Sequence, residues 1–206
     1  MSLYFFTVYG IIIKYKNERR ARMKRVYFLL SRTDTFTSKL VYFFTHGTYT
    51  HTSLALTPRT DEFYSYARRR LYNFLIGGVI KEDLNTFVFA RFPESSCALF
   101  EREVSDEDYE RIKAQVNFCL DNYDRATYSF AGAALTRLGI IWRRKYKFTC
   151  SQFVAVCLDK AEGITLPRDP YLMRPHDFLK LEGAKVIFKG KIKDCNFEGD
   201  TKNENE

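Results

Sequence analysis

Cysteine is sparse here and poorly arranged for a structural role. The five cysteines, Cys97, Cys119, Cys150, Cys157 and Cys195, are odd in number, widely spread and contain no CxxC pair. That pattern argues against a disulfide framework and a cysteine-rich zinc site, and fits free thiols in a reducing compartment. Histidine is rarer still: His46, His51 and His176. No spacing among His, Cys, Asp and Glu matches a metal-ligand set, so no metal or other cofactor is expected. The apolar N-terminal run Leu3–Ile13 is too short to span a bilayer. It has neither a preceding positive region nor a small-residue cleavage site. No transmembrane segment is therefore expected, and the expected location is the cytoplasm. Gly77-Gly78 lacks the following Lys-Ser/Thr of a phosphate loop. No internal repeat or low-complexity tract interrupts the chain.

What is present is a globular composition. The 206 residues are 46% hydrophobic and 17% aromatic, mostly Phe and Tyr, which suits strands and half-buried surfaces. This length supports one domain with a real core. The formal charge of +8 favours anionic partners. Basic residues cluster at Asn17–Arg25, Ala67–Arg70 and Trp142–Lys147. No zinc-finger, basic-zipper or RNA-recognition motif accompanies them, which weighs against nucleic acid and leaves solvated basic patches as the plainer reading. Met23 looks like a natural start. Residues 1–22 are expected to be an extension outside the fold, 23–193 a single domain, and 194–206 a polar, disordered tail.

Arg25–Ser31 (RVYFLLS) has strand composition. Thr35–Gly47 places Leu40, Phe43 and Phe44 at helical spacing, with Gly47 as a stop. Thr50–Thr57 (THTSLALT), a turn at Pro58–Asp61 and Glu62–Arg68 (EFYSYAR) predict a hairpin. Gly77-Gly78 reads as a turn or bulge. Two strands are predicted at Asn85–Phe92 and Cys97–Val104. A helix then starts at the capping-box-like Ser105 and Asp108, and its apolar stripe includes Cys119. Further helices are predicted over Ser129–Arg144 and over Cys150–Gly163, the second closed by Gly163. A last strand is predicted over Ala184–Gly190. The expected class is α+β, with a mostly antiparallel sheet and helices packed on it.

Two stretches carry candidate chemistry. Thr149 is a good N-cap, so Cys150 in FTCSQFVAVCL becomes the first helical residue, where the helix dipole and free N–H groups favour a thiolate. Phe153, Val156 and Cys157 form the predicted buried stripe of that helix. His51 opens the predicted strand, and alternation puts His51, Ser53 and Ala55 on one face, where small residues leave room for approach. His46 reads as a loop residue and His176 as part of a surface turn. The plainer readings are a structural histidine and a packed thiol.

A strand His in HTSLAL followed much later by a helix-starting Cys in CSQFV resembles the circularly permuted papain-like hydrolases. These are relatives of the NlpC-type cell-wall peptidases that include the YiiX-like group and the lecithin:retinol acyltransferase-like proteins. The segments FYSYARR, IGGVIKE and the run from Val26 to Leu56 resemble a bacterial branch of that superfamily, over roughly Met23 to Gly190. The resemblance implies a permuted papain-like fold in which the His strand precedes the Cys helix. It also implies a thiolate attacking an acyl carbon, with His51 accepting and returning the proton. A third polar group from a neighbouring strand would orient His51. Ser65 is the choice here, with Glu62 and Tyr66 as alternatives. The implied activity is that of a cysteine hydrolase or acyltransferase acting on an amide or ester bond: a peptide, a cell-wall-derived peptide or a lipid acyl group, with the basic charge suiting an anionic one. A non-catalytic binding protein retaining the fold is the alternative.

Overall fold

β1 (Met23–Arg32) reads VYFLL through its middle. Side chains alternate across a strand, so Phe28 and Leu30 go to one face and Tyr27 and Leu29 to the other; all four are buried. β1 is thus a central strand covered on both sides. β2 (His51–Ala55) and β5 (Ser96–Ser105) flank it, both antiparallel. With β3 (Phe63–Arg70), β4 (Asn73–Glu82) and β8 (Ala184–Lys191), they make a six-stranded antiparallel sheet in the order β4-β3-β2-β1-β5-β8. The computed structural model describes residues 23–33, 48–70 and 73–196. The expected helix over Thr35–Gly47, His46, the expected extension 1–22 and the tail beyond Asn196 lie outside these residues.

Two helices pack on the Phe28 face. α2 (Asp106–Asp121) lies against β1 and β5, and α4 (Cys150–Leu158) against β2 and β3. Between helices and sheet, Phe28, Leu54, Tyr66, Ile112, Val116, Phe153 and Val154 form the larger core. The opposite face carries a smaller core of Tyr27, Leu29, Ala55, Phe63, Phe89 and Leu99. The class is α+β with a mostly antiparallel sheet, as the sequence predicts. Among the described residues, no helix is long and apolar enough to cross a membrane.

Several local expectations are corrected. Asn85–Phe92 is not a strand but a single helical turn, α1 (Phe87–Arg91), which seats Phe89 in the smaller core. Packing here overrides the strand preference of Phe-Val-Phe. Gly77 and Gly78 are not a turn; they lie inside β4, where the register against β3 shifts just beyond the Arg68–Gly77 pair, as a bulge would. Their role is to admit another segment: a Cβ on Gly78 would sit 2.1 Å from the Ala126 carbonyl oxygen, and one on Gly77 would sit 2.8 Å from Tyr128 Cβ. Those residues lead into β6 (Thr127–Tyr128), which pairs in parallel with β7 (Lys147–Phe148). The helix predicted over Ser129–Arg144 stops at α3 (Phe130–Arg137). Gly139 takes φ +71°, and Ile140 N–H donates back to the Leu135 carbonyl, a glycine-ended helix stop. α4 ends at Leu158, before Gly163, whose N–H donates to Asp108 instead. Cys195, beyond the expected boundary at 193, is buried in the smaller core, so the packed region includes it.

Candidate active site

Everything around Cys150 is anchored by the start of α4. Thr149 caps the helix: its Oγ1 accepts from Gln152 N–H at 3.2 Å, while Gln152 Oε1 accepts from Thr149 N–H at 3.1 Å. The Gln152 amide also donates to Thr136 Oγ1 at 3.1 Å and to the Tyr171 carbonyl at 2.8 Å. Ser151 Oγ donates to the Met173 carbonyl at 2.8 Å. The capping box thus does more than end a helix. It ties the Cys150 turn to α3 and to the 3-10 turn at Pro170–Leu172. The rest of α4 is more buried than its predicted stripe: Val154 and Ala155 join Phe153 and Cys157 inside, and Val156 is only partly covered. Cys150 itself is 3% exposed.

His51 meets both Cys150 and a carboxylate. Its Nε2–H donates to Glu82 Oε1 at 2.9 Å, with Oε2 at 3.2 Å. The imidazole also shares a hydrogen bond with the Cys150 thiol. Burial alone would lower the His51 pKa, since it penalises the charged ring. The Glu82 charge, the Cys150 hydrogen bond and the Glu82 hydrogen bond outweigh that, and hold His51 well above the usual histidine value. A protonated imidazole beside a thiol is the electrostatic setting in which a thiolate is stabilised. The Tyr128 phenol is a further neighbour of Cys150. Burial first, and then the Cys150 charge, push its pKa well up, so the phenol stays neutral.

Sheet register puts Glu82 and His51 on one face but in different rows, with Glu82 level with Phe63 and Ala55, four residues along β2 from His51. The β2–β3 ladder pairs Leu54 with Tyr64 and Ala55 with Phe63, and Phe63 pairs in turn with Glu82 on β4. Paired residues share a face, so Glu82, Phe63 and Ala55 lie on the face that alternation gives to Ser53 and His51. Ser53 and Ser65 occupy the same face and are small, which leaves the longer His51 and Glu82 side chains free to meet.

The structure places His51 beside Cys150 and hydrogen-bonds it to Glu82, and no hydrogen bond from His51 to Ser65, Glu62 or Tyr66 occurs among the described residues. Ser65 pairs with Ile80, and its buried Oγ has no hydrogen-bond partner. Glu62 is committed elsewhere, accepting from Thr57 Oγ1 and the Tyr64 hydroxyl and facing Lys81. Tyr66 is packed between Phe148 and Phe153. The carboxylate on His51 is Glu82, at the end of the IGGVIKE segment. Face parity carried one strand further, from β3 to β4, is the sequence signal that points to it. His176 sits in a 3-10 turn (Pro175–Lys180), half-buried beside Asp177 and away from this group. Among the described residues, no three His, Cys, Asp or Glu side chains gather so as to hold a metal ion. Compared with known proteins, the chain matches no family model and no curated sequence.

Proposed function

We propose that the chain is a thiol hydrolase or acyl-transfer enzyme of the permuted papain-like type, acting on the amide or ester bond of a peptide, a cell-wall peptide or a lipid acyl group. One observation carries the reading: a single imidazole, that of His51, meets both the Glu82 carboxylate and the thiol of a helix-starting cysteine. Cys150, as thiolate, attacks the acyl carbon, and His51 gives its proton to the departing amine or alcohol. The thioester that remains is taken by water or a second nucleophile, whose proton returns to His51 as Cys150 leaves. Glu82 fixes the ring and stabilises its positive charge. The backbone N–H of Cys150, at the first helical position, has no intrahelical acceptor and would serve as the donor to the oxyanion.

The experiment is the pH dependence of iodoacetamide labelling at Cys150, read by mass spectrometry, in the wild type, His51→Ala and Glu82→Gln. Labelling below the roughly 8.5 of a free thiol, moved upward by His51→Ala, supports the reading. The second reading, a binding protein that retains this arrangement, is favoured by the 3% exposure of Cys150. Slow labelling that ignores His51→Ala would select it.

A further inference from the structure

We infer that the loop from Leu138 to Lys145 is a docking surface for an anionic lipid membrane. Three large aliphatic side chains stand out of it: Leu138 is 70% exposed, Ile140 49% and Ile141 46%. Scattered exposed apolar residues need no explanation, but three within four positions form a patch. Cations border it. Arg137 precedes it, Arg143, Arg144 and Lys145 follow, and no acidic residue occurs between Arg137 and Lys147. Arg144 stacks over the Trp142 ring, 4.1 Å from its centroid, which pairs an interfacial aromatic with a cation.

The loop is held in this pose. The Gly139 helix stop fixes its exit from α3, with Gly139 N–H on the Thr136 carbonyl and Ile140 N–H on the Leu135 carbonyl. At its far end, Arg143 pairs with Asp169 at 2.6 Å and lies over the Tyr171 ring. Tyr171 in turn accepts from Gln152, the capping residue of the Cys150 helix. The apolar tip is therefore displayed by a braced turn, on the side of the molecule where α4 begins.

Charge complementarity and apolarity together select the occupant. Nucleic acid or an acidic protein would use the cations and leave Leu138, Ile140 and Ile141 in water. An anionic bilayer uses both: aliphatic side chains enter the headgroup boundary while Arg and Lys meet phosphate. This surface stands whether or not Cys150 is catalytic.

The test is co-sedimentation of the full chain with phosphatidylcholine vesicles, with and without phosphatidylglycerol. The variants are Ile140→Asp/Ile141→Asp, Arg144→Glu/Lys145→Glu, and a control pair, Val186→Asp/Ile187→Asp, at the exposed residues of β8. The expected result is binding that requires phosphatidylglycerol. Either loop pair should weaken it about tenfold or more, and the control pair should leave it intact. Because the substitutions are exposed, thermal melts should be unchanged, which separates lost binding from lost folding. Failure of the wild type to bind overturns the proposal. So does binding untouched by the loop variants, which would place the contact elsewhere in the chain. Loss with Arg144→Glu/Lys145→Glu alone would mean a polyanion contact without insertion, and also overturns it. Vesicle-independent dimerisation abolished by Ile140→Asp/Ile141→Asp would make the patch an interface between copies.

Discussion

Glu82 accepts a hydrogen bond from His51 Nε2 at 2.9 Å, although β3 lies between their strands in the sheet. This contact decides how the site is oriented and charged. Direct titration of the ring tests it. The chain has only three histidines, so their imidazole C–H resonances can be followed separately by NMR. His51 should titrate well above the usual histidine value in the wild type. In Glu82→Gln it should fall, because the main effect opposing the burial penalty is gone. A His51 that titrates identically in both proteins would show that Glu82 does not set its charge.

Ser65 makes the contrasting prediction. Its hydroxyl is buried without a hydrogen-bond partner, so Ser65→Ala removes an unsatisfied polar group and leaves no broken contact. Urea unfolding should place the variant within about 0.5 kcal/mol of wild type or on the stable side. The His51 titration and Cys150 labelling should not move. If Ser65→Ala slowed labelling as Glu82→Gln does, the serine would be orienting the ring after all.

These two residues also show where the sequence is legible and where it is not. The His strand, the Cys helix and its Thr149 cap depend on local pattern, and local pattern is what a sequence displays. The orienting group depends on register. Within a hairpin that register extends from β2 to β3, and it led to Ser65; Glu82 is one strand further, where the pairing is set by tertiary structure. Gly77-Gly78 illustrates the same limit. Two glycines in an apolar run look like a turn, and only the crossing of Ala126 and Tyr128 reveals why side chains are forbidden inside β4. The Phe87–Arg91 turn reads as a strand in the sequence because an aromatic, branched segment follows whichever core accepts it.

Gly78 and Gly139 separate two reasons for conserving space or conformation in glycine. At Gly78, a methyl group would overlap the Ala126 carbonyl oxygen. Gly78→Ala must therefore push β6 off β4, and should destabilise by about 3 kcal/mol or more. At Gly139, a methyl group meets nothing within 4 Å, and only the φ of +71° is unfavourable. Gly139→Ala should lose about 1–2 kcal/mol, the strain of one left-handed residue. Paired urea titrations measure both, and equal losses would contradict the close approach of β6 to β4.

The raised His51 pKa also makes folding stability depend on pH, with a definite sign. The ring binds its proton more tightly when folded than when unfolded, so folding is favoured wherever that proton is present. The contribution is complete below the unfolded value of about 6.5 and is lost as pH rises through the higher folded value. Wild type should therefore be stabilised relative to Glu82→Gln at about pH 6, and that advantage should shrink by about pH 9. The upper bound is about 1.4 kcal/mol per unit of upward shift. Groups that do not interact with His51 or Glu82 are common to both proteins and cancel in the difference. His51 is 20% exposed at its side chain, so solvent screening trims the effect only modestly. Urea unfolding of the two proteins at both pH values reads it out. A difference that stays constant with pH would mean that Glu82 holds the ring by geometry alone, and that the proton on His51 owes nothing to it.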